Sequence, residues 1–487
     1  MIDSPAPTAI VLGGGPIGCL WILFLRKLGF NVYLSEPSIK RRETLRLLFP
    51  GYFQEFAAGE GDSIDDRFEL LVTATSNPAA VTERWIKSVK SGGTFYLFAG
   101  IDKGKKDSVM SPSGLTDLAT LHYSGQYAIE RERDNEMRYR IIMGQSGAST
   151  SAYDLATKIS IDLLSDVRKL ITGRIDGFDS PALNVWPPEL SQSTAQYRVA
   201  GTPIVNRVMA RDKRWKDREK HLKVSILCPK AIGTLERIIA KPETAPAETG
   251  ALLSELGRTK TIDNSGEEKG GWWSLHTSAT SITLVRESAP PRVEEKSQVL
   301  TAILAVNPCE ADFRSIRGTR RGGSSPHRQA LHDGLGLVLD TKTENGSSKF
   351  KAGDVVYFKP HIFSPELKKR IAYREGALHR IEGSFHMGMQ VSGPGGELFL
   401  TREEYCQLVP RTDLTRLMET HKGENGTEST IQACAVFAET EHIACVLTAI
   451  QLIERWNKSV AGISDKDPKE PLVLPYINDW QAKIGVR

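Results

Sequence analysis

Thr8-Ala9-Ile10-Val11-Leu12-Gly13-Gly14-Gly15-Pro16-Ile17-Gly18 decides how this chain folds. Thr8–Leu12 is an apolar strand candidate that runs straight into a glycine-rich turn, and a helical pattern follows from Cys19 to Leu28. A second strand candidate, Asn31–Leu34, ends at Glu36. GxGxxG thus stands between a strand and a helix, the setting in which it binds a dinucleotide. Gly13 permits the tight turn, Gly15 lets the backbone approach a pyrophosphate, and Gly18 allows close helix–strand packing. Pro16 and Ile17 open the helix, whose N-terminus offers free N–H groups and a positive dipole end to the phosphates. Glu36, about 20 residues on, is placed to accept ribose hydroxyls and repel a 2′-phosphate, which favours NAD(H). Arg41 is expected to be a further cofactor contact. With Arg42 it leaves accommodation of a 2′-phosphate open.

Further strand candidates at Glu69–Thr73, Thr94–Ala99 and Arg140–Met143, with a crossover helix over Pro78–Val89, suit a doubly wound parallel sheet. At 487 residues the chain has room for two or three domains. It carries 63 Lys+Arg against 59 Asp+Glu, a formal charge of +4, which argues against a nucleic-acid partner. The run Arg211–Lys223 alternates bases with acids and reads as a solvated helix face. No apolar run reaches the ~18–20 residues that span a bilayer, so no membrane partner is expected. The opening MIDSPAPTAIVLGGG lacks the basic-then-apolar order of a secretory signal. Six cysteines without a CxxC pair fit a reducing, cytoplasmic home rather than a disulfide framework.

VLGGGPIG (11–18), LSEPSIKRR (34–42), VTATSNPAAV (72–81) and SGGTFYLFAG (91–100) resemble the cofactor domain of the medium-chain dehydrogenase/reductase superfamily. They are most similar to its polyol (sorbitol and butanediol type) and threonine dehydrogenase branch. That family places a GroES-like β-barrel domain before the cofactor domain, whereas here the similar segments follow it. Trp272–Val285 with Val299–Ala305 resembles the family's first strands, and Asn307–Gly318 its metal-binding cysteine segment. Phe350–Val356 resembles its glycine-aspartate turn, and Glu441–Val446 the helix start that leads into the cofactor domain. His221–Pro229 resembles its C-terminal strand. The resemblance therefore implies an α/β fold, a Rossmann sheet plus a GroES-like β-barrel, in circularly permuted order. The expected pieces are a Rossmann domain at 1–148, the C-terminal part of the catalytic domain at 149–229, a linker at 230–271, and the GroES-like catalytic domain with its connecting helix at 272–487. A flexible linker of about 40 residues has an r.m.s. span near 35 Å, enough to join neighbouring ends.

The resemblance also implies a metal site. Cys309, His332 and Glu441 match the three positions at which the polyol branch binds its catalytic zinc. A thiolate, an imidazole and a carboxylate suit Zn²⁺ with one coordination position left open. Asp333 stands where the family has a glutamate behind the metal, and is an alternative ligand. Glu439 and His442 flank Glu441 as alternative registers. Taken singly, Cys309 could instead be a small buried hydrophobe, His332 a turn histidine, and Glu441 a first-turn carboxylate favoured by the helix dipole. The family's structural zinc needs four clustered cysteines after Val356, and none occurs before Cys406. One catalytic zinc and no structural zinc are expected.

Two positions depart from the family. Ala311 stands where a Ser or Thr relays the alcohol proton, leaving Glu310, Asp333 and His386 as candidates for that task. Leu331 stands where a glycine is usual. His122-Tyr123 resembles a segment facing the cleft between the domains in polyol and inositol-type members, but reads first as an aromatic strand end packed on the sheet. Ser384–Gly396 resembles a glycine-rich strand pair, and Thr412–Ser429 reads as an exposed loop with a short helix. The expected activity is hydride transfer between nicotinamide and a small polar substrate: a polyol, an amino-alcohol or the corresponding ketone. Two alternatives stay open. One is an enzyme with no net redox change (an epimerase, lyase or cyclase) that uses tightly bound NAD transiently, as the missing relay suggests. The other is a non-catalytic NAD(H)-sensing protein. The family's dimers and tetramers make a homodimer one possible assembly, and the sequence leaves the oligomeric state open.

Overall fold

A computed structural model describes residues 6–178, 204–206 and 222–461, apart from 58–62, 76, 78–81, 100–110, 112–117, 119–120, 123–126, 133–134, 145–146, 258–260, 263–267, 270, 278–281, 288, 296, 310–311, 313–327, 343–347, 360–361, 364–372, 375–376, 379–392 and 420–425. The chain divides into two compact bodies. The first comprises Met1–Ala156, Ile362–Ser384 and His442–Arg487, and the second Thr157–His361 and Phe385–Glu441. The helices are α1 (Pro16–Lys27), α2 (Ile39–Leu48), α3 (Glu83–Lys87), α4 (Thr150–Asp162), α5 (Leu164–Arg168), α6 (Pro229–Ala240), α7 (Ala245–Leu256), α8 (Arg411–Glu419), α9 (Gly426–Phe437) and α10 (Thr440–Ala461). No single helix among the described residues is long and apolar enough to cross a membrane.

In the first body, β1 (Thr8–Leu12), β2 (Asn31–Ser35), β3 (Gln54–Glu55), β4 (Phe68–Thr73), β5 (Val89–Leu97), β6 (Tyr127–Glu132) and β7 (Asn135–Gly144) form one sheet in the order β3-β2-β1-β4-β5-β7-β6. Every neighbouring pair is parallel except β6 with β7. The strand order switches direction at β1, so a crevice opens at its carboxyl end, where the glycine turn lies. Residues 18–25 of α1 are all buried, as expected of a helix that is apolar on every side. Ile10, Leu12, Phe68, Leu71, Phe95, Leu97 and Ile142 build the core. α10 joins this body late in the chain: Thr94 Oγ1 donates to Asn457 Oδ1 at 3.2 Å, both side chains buried. The crossover helix expected over Pro78–Val89 is shorter among the described residues, Glu83–Lys87, because Val89 already belongs to β5.

The second body contains β8 (Ile171–Asp176), β9 (Ile204–Asn206), β10 (Lys223–Leu227), β11 (Trp272–Thr277), β12 (Ile282–Glu287), β13 (Gln298–Val306), β14 (Arg328–Gln329), β15 (Gly334–Thr341), β16 (Val355–Phe358), β17 (Leu398–Arg402) and β18 (Cys406–Val409). One sheet runs β18-β16-β15-β13-β10-β8 with β17 also on β13, and a second runs β9-β12-β11-β14. Only β8 with β10 is parallel in the larger sheet. One edge of β13 is shared, its first half pairing with β17 and its last two residues with β10. Both sheets are open among the described residues, without the closure expected of a barrel.

Three expectations are corrected here. Most of the flexible linker expected at 230–271 is instead folded into the helices α6 and α7, whose buried positions include Ile232, Leu235 and Ile238, then Ala245, Leu252 and Leu256. Their outer faces make the composition polar, while the inner positions recur every three or four residues. Gly353, with φ +89°, comes so close to α7 that a Cβ would stand 2.6 Å from that of Ala245. Lys223 does not end a solvated helix face; it opens β10 and is buried, while 207–221 lie outside the described residues. Thr412–Ser429 is largely helical, in α8 and the start of α9.

Candidate active site

The glycine turn takes the shape its residues require. Gly13 has φ +106°, a region costly for any residue with a Cβ, and its N–H donates to Ser35 O at 2.9 Å. A Cβ on Gly18 would lie 1.9 Å from Gly13 O, so only glycine lets α1 start against the turn. Pro16 and Ile17 form the first turn of α1. Glu36 closes the site from the end of β2, its carboxylate accepting from Gly14 N at 2.7 Å and Ser38 N at 2.9 Å. Arg42 Nη1 donates to Glu36 O at 2.6 Å and to Pro37 O at 3.2 Å. Arg41 instead reaches over the turn, with Nη1 3.9 Å from where a Gly15 Cβ would stand. The two arginines therefore differ: one braces the strand end, and the other faces the glycine turn.

In the second body β13 ends at Val306, and Asn307-Pro308-Cys309 carries the chain away from the sheet. Leu331-His332-Asp333 leads into β15, the strand beside β13. Adjacent strand ends thus bring distant residues together. His332 Nε2 lies 3.3 Å from Cys309 Sγ and 3.4 Å from Asp333 Oδ1. Cys309 Sγ and an Asp333 carboxylate oxygen are within 4.8 Å of each other. On the other side of the ring, His332 Nδ1 is 2.7 Å from Asp312 Oδ1, whose second oxygen accepts from Cys309 N at 2.8 Å. Asp312 therefore orients both the imidazole and the thiol-bearing turn.

The charges match that geometry. Burial alone would push the His332 imidazole down, but Asp312, Asp333 and Cys309 outweigh it and hold it well above its ordinary value. Burial alone would raise the Asp312 carboxyl, yet His332, the Cys309 N–H and Lys223 keep it below the usual carboxylate range. A buried anionic cage draws a proton onto His332, and a cation is what such a cage accommodates.

The donor set fits zinc. Ligands held about 2.0–2.3 Å from a tetrahedral Zn²⁺ stand roughly 3.3–3.6 Å apart, the spacing that separates His332 Nε2 from Cys309 Sγ and from Asp333 Oδ1. Asp312, occupying Nδ1, stands where a carboxylate that orients a metal-binding histidine would stand. Cys309 is only partly buried, which leaves one side of the donor set accessible.

Of the expected ligands, the structure brings Cys309 and His332 together. Glu441, buried in the first turn of α10, belongs to no donor group within 4.8 Å among the described residues; the one that holds Cys309 and His332 is completed by Asp312. Asp333, expected behind the metal, takes the place beside Nε2. The reason is local: Asp333 follows His332 directly and its backbone is tied to Asn307 N at 3.3 Å. Leu331 sits at φ +65° and is buried, a left-handed conformation that explains why glycine suits this position. Asp312, Asn307 and Lys223 escape the sequence reading; Cys-x-x-Asp was the available signal for the first. His122 is buried, its Nδ1 3.0 Å from Leu97 O, a strand-end contact. Glu310, Ala311, Tyr123 and His386 lie outside the described residues.

No family model and no curated protein matches the chain. Among solved structures it is similar to galactitol-1-phosphate dehydrogenase from Escherichia coli, at 19% identity over 28% of this chain and 38% of that one, with a TM-score of 0.23. It is similar to Haloferax mediterranei glucose dehydrogenase in complex with NADP, Zn and gluconolactone, at 20% identity over 30% and 42%, with a TM-score of 0.22. Acetophenone reductase from Geotrichum candidum in complex with NAD gives 16% identity over 31% and 46%, with a TM-score of 0.23. The chain spans less than half the length of each, and likenesses this partial carry no weight for fold or function.

Proposed function

We propose that this chain is an NAD(H)-linked, zinc-dependent oxidoreductase of the medium-chain type, acting on a polyol, an amino-alcohol or the corresponding ketone. One observation carries the reading: His332 Nε2 faces Cys309 Sγ and Asp333 Oδ1 while Asp312 holds Nδ1. Zinc held by Cys309, His332 and Asp333 would act as a Lewis acid on a hydroxyl or carbonyl oxygen. Asp312 keeps the imidazole in the tautomer that presents Nε2 and anchors the Cys309 turn. Glu36, tied to the glycine turn, favours a ribose with both hydroxyls free, and Arg41 adds positive charge over the pyrophosphate position.

The permuted order is part of the same proposal. It is supported by β10, which precedes α6 and α7 in the chain yet pairs with β13 beyond them. It is supported again by α10, whose Asn457 bonds to the sheet that opens the chain.

Ala311 favours a second reading, in which bound NAD takes and returns a hydride within one turnover. The two are separated by assaying purified chain for zinc, retained nucleotide and NADH absorbance with a panel of polyols, amino-alcohols and ketones. Zinc with NAD-dependent absorbance change supports net oxidation. Retained NAD and turnover without added cofactor supports the second reading. A chain without zinc and without any absorbance change overturns the first.

A further inference from the structure

The donors around His332 are held by a turn and a strand end, and both meet at Asn307. This residue is the first beyond β13 and is fully buried. Its side-chain amide donates to Ala435 O in α9 at 2.9 Å and to Glu439 Oε1 at 2.6 Å. Its backbone N–H donates to Asp333 O at 3.3 Å, and Cys309 is two residues on. Its Oδ1 is buried without a hydrogen-bond partner, so the donor bonds alone set the amide's orientation. Glu439 Oε1 in turn meets Lys223 Nζ at 3.2 Å, with side chains 1% and 4% exposed. Lys223 comes from β10, on the shared edge of β13.

A buried ion pair is a poor source of stability, because desolvation offsets the attraction and an apolar pair of similar volume serves as well. Retaining charges here makes sense if their directionality is used. The carboxylate offers a strong acceptor at a fixed point, and the ammonium keeps that carboxylate ionised and in place. The Lys223 ammonium also interacts over a longer range with Asp333 and Cys309.

We infer that Lys223, Glu439 and Asn307 form a positioning unit for the metal donors: the ion pair clamps the Asn307 amide, and Asn307 sets the Cys309 turn and the Asp333 backbone. None of the three touches the metal. The inference rests on Cys309, His332 and Asp333 being the zinc donors, and it accounts for Glu439, which the sequence offered as a ligand.

The test measures zinc affinity of the full chain by competition with a chromophoric chelator, alongside the ligand-field spectrum of the cobalt-substituted protein. Lys223→Met is expected to weaken zinc binding roughly 10–100-fold, the range typical of groups that orient metal ligands, and to shift the cobalt bands. In Lys223→Met/Glu439→Gln the stranded charge is gone while an amide oxygen still accepts from Asn307, so zinc affinity returns toward that of the unaltered chain. Should Lys223→Met not fold, Asn307→Ala disturbs no charge and carries the same expectation. Unaltered zinc affinity and cobalt bands in Lys223→Met or Asn307→Ala, or a double variant no better than the single, overturn the inference. The underlying site fails separately: Cys309→Ser would then leave zinc content of the otherwise unaltered chain untouched.

Discussion

Asp312→Asn isolates what one carboxylate does for two ligands. Asp312 receives His332 Nδ1 at 2.7 Å and Cys309 N at 2.8 Å on separate oxygens. Asparagine keeps the shape but offers one acceptor, so an NH₂ must face either the buried His332 N–H or the part-buried Cys309 N–H. A buried donor left unsatisfied costs about 1–3 kcal/mol. Zinc needs His332 neutral with its proton on Nδ1 and the Cys309 turn in place, so the misfit falls on the loaded state; without metal the turn is free to relax. At about 1.4 kcal/mol per tenfold, zinc should bind roughly 5–150 times more weakly. Chelator competition measures the ratio, and far-UV circular dichroism checks that the variant is folded. A folded Asp312→Asn chain with unaltered zinc affinity would refute the assignment of Asp312 as the group that aims Nε2 at the metal.

The third donor separates by a paired comparison: Asp333→Asn should lower zinc content measured by mass spectrometry, while Glu441→Gln should leave it near that of the parent. Gly18→Ala, with a Cβ 1.9 Å from Gly13 O, should abolish NAD binding by calorimetry yet leave zinc content intact. Gly353→Ala combines left-handed backbone strain of roughly 1–2 kcal/mol with overpacking of about 1–3 kcal/mol against Ala245, so urea unfolding should show a loss of roughly 2–5 kcal/mol. The zinc-free chain should lose stability as pH rises above 6.5. The folded His332 pKa is raised, so its contribution is complete below the unfolded value and disappears as pH climbs through the folded one. Thermal melts across that range should show this decline in the metal-free chain and not in the zinc-loaded one.

What the sequence discloses depends on how local the chemistry is. The turn Gly13–Gly18 is legible because strand, glycines, helix and Glu36 lie within one supersecondary unit, and each glycine has its own steric reason. Cys309 and His332 are legible only through resemblance, since nothing in their spacing says that the ends of β13 and β15 are neighbours. Asp312 shows why the supporting residues are harder: its role exists only once those ends meet. Asp333 and Glu441 illustrate a different difficulty. Both are acids at positions the resemblance offered, and only the 3.4 Å approach of Asp333 Oδ1 to His332 Nε2 shows which one faces it. The α6–α7 segment misleads because average composition hides a buried stripe, and Lys223 because a charged run ends one residue inside a strand.

The bond between Thr94 and Asn457 has a consequence for biosynthesis. The two residues are 363 positions apart. At a synthesis rate of about 5–20 residues per second, the ribosome makes Asn457 roughly 20–70 s after Thr94. During that interval the nascent sheet of the first body lacks the helix whose Asn457 later bonds Thr94. In this gene order the first body to be translated is among the last to be finished.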